Sequence, residues 1–167
     1  GGYTIGVLVQ TNFGGVLEVN GVPVGQELGQ FSFSRELSKI SDGSCMIVVI
    51  TDAPVTSRNL ERIAKRAMMG LAKTGGIASN GSGDYVIAFS THEGLRIPHA
   101  SPSNQLQHVE FLRNDDMTAL FMAVIEATEE AIINSLFAAV TMEGKDGRII
   151  ESLPKPQILP WILRKKE

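Results

Sequence analysis

A serine that directly follows a glycine, where a polar stretch turns into buried-type residues, can do chemistry on its own backbone. Gly43-Ser44 stands at such a point: Asp42-Gly43 closes a polar approach, and Cys45 to Ile50 reads as a strand. The Ser44 hydroxyl can attack the carbonyl just before it and shift the acyl group from nitrogen to oxygen. Hydrolysis of that ester would free Ser44 as a new N-terminus. It would then carry a nucleophilic hydroxyl and an α-amine whose pKa of about 7.7 to 8.0 suits a base near neutral pH. In isolation the same dipeptide is commonly a plain turn, so the surrounding elements must decide.

The other polar clusters offer less. In the loop Gly75 to Asp84, Gly76 and Gly81 have the Walker spacing, but Ser82 stands where the lysine is needed. The loop also follows a helix and precedes a strand, the reverse of a phosphate loop. Gly81-Ser82-Gly83 fails as a hydrolase elbow because Asn80 takes the place of the first glycine. Ser82 and Asp84 are better suited as partners, since a carboxylate at a strand mouth can orient a hydroxyl or hold an ammonium group; the alternative is that both satisfy their own loop backbone. His92, His99 and His108 lack metal-ligand spacing and read as solvated loop residues. Alternation along the strand turns Cys45 to the face opposite Ser44, as a small buried apolar group. Glu126, Glu129 and Glu130 read as a solvated or ion-paired helix face, one of them able to neutralise a nearby basic group.

The elements that must position these residues follow from periodicity. Tyr3 to Gln10 reads as a strand that leaves Asn12 at its end, and Val16 to Val19 with Val22 to Val24 flank Asn20-Gly21 as a hairpin. Gly25 to Gly43 reads as a mobile, exposed approach to Ser44, with a short helix around Arg35 to Ile40. After Asp52-Ala53-Pro54, Thr56 or Ser57 caps a helix whose apolar stripe is Leu60, Ile63, Ala64, Ala67, Met68 and Leu71; Gly75-Gly76 stops it. A strand from Tyr85 to Thr91 completes a strand, helix, strand unit, the building block of layered α/β domains. His92 to Glu110 reads as a long surface loop. Asn114 or Asp115 caps a second helix, apolar at Leu120, Phe121, Val124, Ile125, Ile132, Ile133, Leu136, Phe137 and Val140 and ending by Gly144. Asp146-Gly147 makes a turn before a short strand at Ile149-Ile150, and Pro154, Pro156 and Pro160 exclude regular structure from the tail.

Composition narrows the classes. The 167 residues suffice for one domain with a real core. Fifteen basic and eighteen acidic residues give a net charge of -3, with basic residues scattered except at Arg164 to Lys166, which argues against nucleic acid. No apolar run is long enough for a bilayer, and no signal-peptide pattern opens the chain, so a cytoplasmic location is expected. The single cysteine rules out an internal disulfide and points to a reducing compartment. The opening on Gly1 rather than Met, with a strand two residues on, suggests part of a longer polypeptide.

Asp42-Gly43-Ser44-Cys45-Met46-Ile47-Val48-Val49-Ile50-Thr51-Asp52-Ala53-Pro54, the basic amphipathic helix and Asn80-Gly81-Ser82-Gly83-Asp84 resemble the DmpA-type self-processing serine aminopeptidases, the L-aminopeptidase/D-esterase and β-aminopeptidase group. Val7 to Gly14, Asn20 to Gly25 and Ala127 to Ile132 match further segments in order, over nearly the whole chain. The resemblance implies an αββα sandwich of the DmpA and ornithine acetyltransferase kind, of which this chain covers the C-terminal portion. Residues 1–43 would end the larger subunit and 44–167 form the smaller one, within one domain.

What the resemblance implies for the site is specific. The cut falls between Gly43 and Ser44, and Ser44 is the nucleophile. Asn12 donates its side-chain amide to the oxyanion, Ser82 is the second serine, and Asp84 falls where an acidic residue, often Glu, assists. No metal or organic cofactor is implied. Expected partners are a small peptide, amide or ester substrate, the rest of the larger subunit with its tyrosine, and further copies in a homo-oligomer, a tetramer being one form. Two rivals stand beside hydrolysis: an acyltransferase of the ornithine acetyltransferase type, whose nucleophile is Thr where this chain has Ser44, and a peptide-binding relative without turnover.

Overall fold

The computed structural model describes residues 2–32, 43–99 and 107–163. Its centre is a three-stranded sheet built from β1 (Ile5–Asn12), β2 (Ser44–Thr51) and β3 (Tyr85–Ser90), in the order β1-β2-β3. β2 runs antiparallel to β1 and parallel to β3, the parallel crossover being made by α2 (Ser57–Lys73). The helical expectation for Arg35 to Ile40 lies outside the described residues, as does part of the loop from His92 to Glu110.

Alternation along the strands sorts the residues between two faces. Cys45, Ile47, Val49 and Thr51 of β2 point into the core, where Ile63, Ala67 and Leu71 of α2 meet Leu120, Val124 and Ile132 of α3 (Thr118–Ala138). Each fully buried large aliphatic side chain contributes about 1.5–3 kcal/mol. The two helices cross closely at Gly70, where a Cβ would come within 2.6 Å of the Ile125 carbonyl oxygen and 2.7 Å of Thr128 Cβ. Lys73 pairs with Glu129 across the same contact, and the guanidinium groups of Arg62 and Arg66 stack on the Phe121 ring. The opposite sheet face carries no layer among the described residues. Leu8 of β1 is 68% exposed there, and Ile87 and Phe89 of β3 are exposed on the same face.

Local signals behave as expected at several ends. Thr56 Oγ1 accepts from the N–H of Asn59, and Gly75, at φ +86°, turns the chain out of α2. Asn20 and Gly21 both have positive φ and close the expected turn, with Val19 and Val22 exchanging backbone hydrogen bonds. The hairpin goes no further. Val16 and Glu18 instead donate to the carbonyls of Gly75 and Thr74, and Pro23, with its fixed φ, leads into the short helix α1 (Val24–Glu27) rather than a second strand.

Three further corrections concern ends. Neither Asn114 nor Asp115 caps α3; a 3-10 turn, Asn114–Met117, leads into it, and the Asn114 side-chain oxygen accepts from Arg62 instead. α3 stops at Ala138, so Val140 lies beyond it, and β4 (Met142–Glu143) pairs with β5 (Ile149–Ile150) around the Asp146-Gly147 turn. The proline-rich tail is helical: α4 spans Lys155–Ile162. Pro154 is its N-cap and Pro156 lies in the first turn, where the missing N–H has no intrahelical partner anyway, so only Pro160 removes a bond. Burial outweighs that loss, since Ile158 is fully buried against Val19 and Val24, with Trp161 packed beside them.

Candidate active site

The antiparallel register brings Asn12, the last residue of β1, directly opposite Ser44, the first of β2. Paired residues share a face, so both stand on the open side of the sheet while Cys45 turns into the core. Gly43 is buried, and a Cβ on it would lie 2.5 Å from the Asn12 carbonyl oxygen and 2.7 Å from Phe13 Cα. The expected mobile, exposed approach therefore does not extend to Gly43. Upstream, Val24 and Gly25 are buried in α1 as well. Only glycine allows the two backbones this close, and the contact fixes the Gly43-Ser44 peptide beside the end of β1.

From the other side, the loop before β3 reaches Ser44. The N–H of Gly83 donates to Ser44 Oγ at 3.1 Å. Ser82 Oγ donates to Asp84 Oδ2 at 2.7 Å, while Asp84 Oδ1 accepts the N–H of Cys45 at 2.8 Å. The Asp84 carboxylate thus reaches both the Ser82 hydroxyl and the backbone immediately after Ser44. Asn12, Ser44, Ser82 and Asp84 converge at one end of the sheet from three stretches of chain: the end of β1, the start of β2 and the loop before β3. Gly83 carries no side-chain signal in the sequence, because what it contributes is a backbone donor from the Asn80 to Asp84 loop.

Burial, and secondarily the neighbouring Asp84 carboxylate, push the Cys45 thiol up from 9.0 to about 11. It is fully buried and stays protonated at neutral pH, unavailable as a nucleophile. Among the histidines, His92 Nδ1 accepts from the Gly94 N–H in a 3-10 turn, and His99 and His108 are exposed. No group of three or more His, Cys, Asp or Glu among the described residues could hold a metal ion. No helix among them is long and apolar enough to cross a membrane.

A layered α/β arrangement with a serine at the mouth of its central strand defines a class, and known structures bear out the fold. The chain superposes on the L-aminopeptidase D-Ala-esterase/amidase of Ochrobactrum anthropi, described as a prototype serine aminopeptidase and a variant of the Ntn hydrolase fold, with a TM-score of 0.73 and 27% identity; the match covers 96% of this chain and 47% of that one. A Pyrococcus horikoshii crystal structure aligns with a TM-score of 0.81 and 44% identity, over 95% of this chain and 42% of the other. The chain belongs to Peptidase family S58, which matches residues 1–150. Among characterised relatives, the β-peptidyl aminopeptidase BapA of Sphingosinicella microcystinivorans is 41% identical over 93% of this chain and 42% of its own length. The chain thus spans about two fifths of the relatives it matches.

Proposed function

We propose that the chain is the nucleophile-bearing part of a self-processing serine aminopeptidase. The observation that carries this reading is the direct pairing of Asn12 with Ser44, together with the Gly83 N–H aimed at Ser44 Oγ. In processing, Ser44 Oγ bonds to the carbonyl carbon of Gly43 and the Gly43-Ser44 C–N bond breaks, leaving an ester and a free α-amine. Water then cleaves the ester, giving a Gly43 carboxylate and restoring the hydroxyl. Residues 1–43 and 44–167 become parts of two subunits.

In turnover the same oxygen attacks the carbonyl of a substrate's N-terminal residue and expels the remaining peptide, amine or alcohol; water releases the acyl group. The Ser44 α-amine takes the hydroxyl proton and returns it to the leaving group. The Gly83 N–H favours the anionic form of Oγ, and the Asn12 amide donates to the oxyanion, a contact worth about 10² to 10³ in rate. Asp84 holds Ser82 and the strand start in place around the new amine. The names of the relatives, a β-peptidyl aminopeptidase and an L-aminopeptidase D-Ala-esterase/amidase, support small peptides, amides and esters as substrates. Ser44 argues against the threonine-dependent acyltransferase. The open apolar sheet face supports a covering layer from the rest of the larger subunit, and the assembled protein is expected to be a homo-oligomer.

The test is the intact mass, under denaturing conditions, of the full-length protein and its Ser44→Ala variant, with aminopeptidase activity measured alongside. A fragment beginning at Ser44 is expected from the parent alone, and turnover should vanish in the variant. A folded parent that stays uncut would move the reading to a binding protein.

A further inference from the structure

Ser44 sits in the middle strand, and its two neighbours on the sheet are chemically unlike. Asn12 on β1 is polar, but the first side chain that β3 itself places on the open face is an aromatic ring, Tyr85. β2 and β3 pair Met46 with Tyr85, so the row next to Ser44 is Met46 and Tyr85, both on the face that carries the serine. Tyr85 is 63% exposed and Met46 38%. Gly83 keeps the space between Tyr85 and Ser44 open: a Cβ built on it would lie 3.3 Å from Ser44 Oγ and 3.3 Å from Tyr85 Cε2. The hydroxyl and the ring edge are therefore at most twice that distance apart, across a gap with no side chain of its own.

An acyl group on Ser44 Oγ is joined through its carbonyl carbon, and its side chain begins two or three bonds further on. With the carbonyl oxygen turned toward Asn12 on β1, the substituent is directed toward β3. A ring edge this near lies within reach of that substituent. We propose that Tyr85, with Met46 beside it, forms the wall against which the side chain of the substrate's N-terminal residue packs, so that this pair sets its preferred size. Tyr85 supplies a flat apolar surface, and the unbranched Met46 adapts to side chains of different length. The substrates favoured are those with an apolar N-terminal residue larger than glycine. This inference rests on Ser44 being the nucleophile.

The experiment compares the full-length protein with Tyr85→Ala, Tyr85→Leu, Tyr85→Phe and Met46→Ala, using p-nitroanilides of glycine, alanine, leucine and phenylalanine. A serine-directed acylating reagent and denatured mass report in parallel whether Ser44 is cut free and reactive. Tyr85→Ala should lower kcat/KM for the leucyl and phenylalanyl substrates about 10-fold or more relative to the glycyl one, in the range that apolar pocket contacts give. Tyr85→Phe should keep the parent's selectivity. Met46→Ala should shift the preference in the same direction as Tyr85→Ala, by less. With Ser44 labelled, an equal loss on every substrate in Tyr85→Ala and Tyr85→Leu, or no change, overturns the wall and leaves the nucleophile standing. An unlabelled, uncut Ser44 in the parent sinks both readings.

Discussion

At Cys45, one residue from the proposed nucleophile, burial works in the opposite direction from activation. Its thiol is fully buried and held at about 11 rather than 9.0. A group that keeps its proton more tightly in the folded state than in the unfolded one stabilises the fold fully below the unfolded value. That contribution is lost as pH rises from about 9 toward 11, by at most about 1.4 kcal/mol per pH unit. Chemical denaturation of Cys45→Ala against the parent from pH 8 to 11 should show a shallower alkaline loss in the variant, after a uniform offset for the smaller side chain. Parallel curves would mean that Cys45 is not the group responsible. The same residue scale explains Gly43, whose missing side chain lets the backbone before Ser44 lie against Asn12 and Phe13.

The elements hold these residues in place through two helices that touch almost at backbone distance. Gly70 is where α2 lies on α3, and the atoms a methyl group would meet are mostly main chain, which cannot rotate away. Gly70→Ala should therefore destabilise the protein by roughly 1–3 kcal/mol despite the better helix propensity of alanine. Equilibrium unfolding in urea checks this; an unchanged or raised midpoint would show that the helices can separate without cost. The helix pair in turn backs β2, so Ser44 is carried on the strand most completely supported from the core side.

For the whole molecule, the most telling feature is asymmetry between the two sheet faces. One is covered by α2 and α3; the other presents Leu8, Met46, Tyr85, Ile87 and Phe89 to solvent around the candidate active site. Exposed apolar surface of this kind promotes association. The isolated 167-residue chain should self-associate in size-exclusion chromatography with light scattering. The double variant Leu8→Lys and Ile87→Lys should shift it toward the monomer with unchanged far-UV circular dichroism. A monomeric parent chain would count against the open face as a surface that needs a cover.

Local signals in the sequence determined what depends on near neighbours. The 3.6-residue stripe of α2, the apolar and β-branched runs of β1 to β3, the Thr56 cap and the Asn20-Gly21 turn were legible because each is satisfied within a few residues of chain. Gly43-Ser44 before a strand was legible for the same reason, and ordered resemblance along the chain extended it to Asn12, Ser82 and Asp84. The tertiary structure alone decided where propensity lost: three prolines did not prevent α4, because burial of Ile158 against the Val19 and Val24 cluster offsets the missing hydrogen bond. It also decided how the site is assembled. Asn12 faces Ser44, and Gly83 donates to it, through strand register between segments distant in sequence. Register is a property of pairs of strands, and a backbone N–H has no side-chain signature, so neither is written in any single stretch.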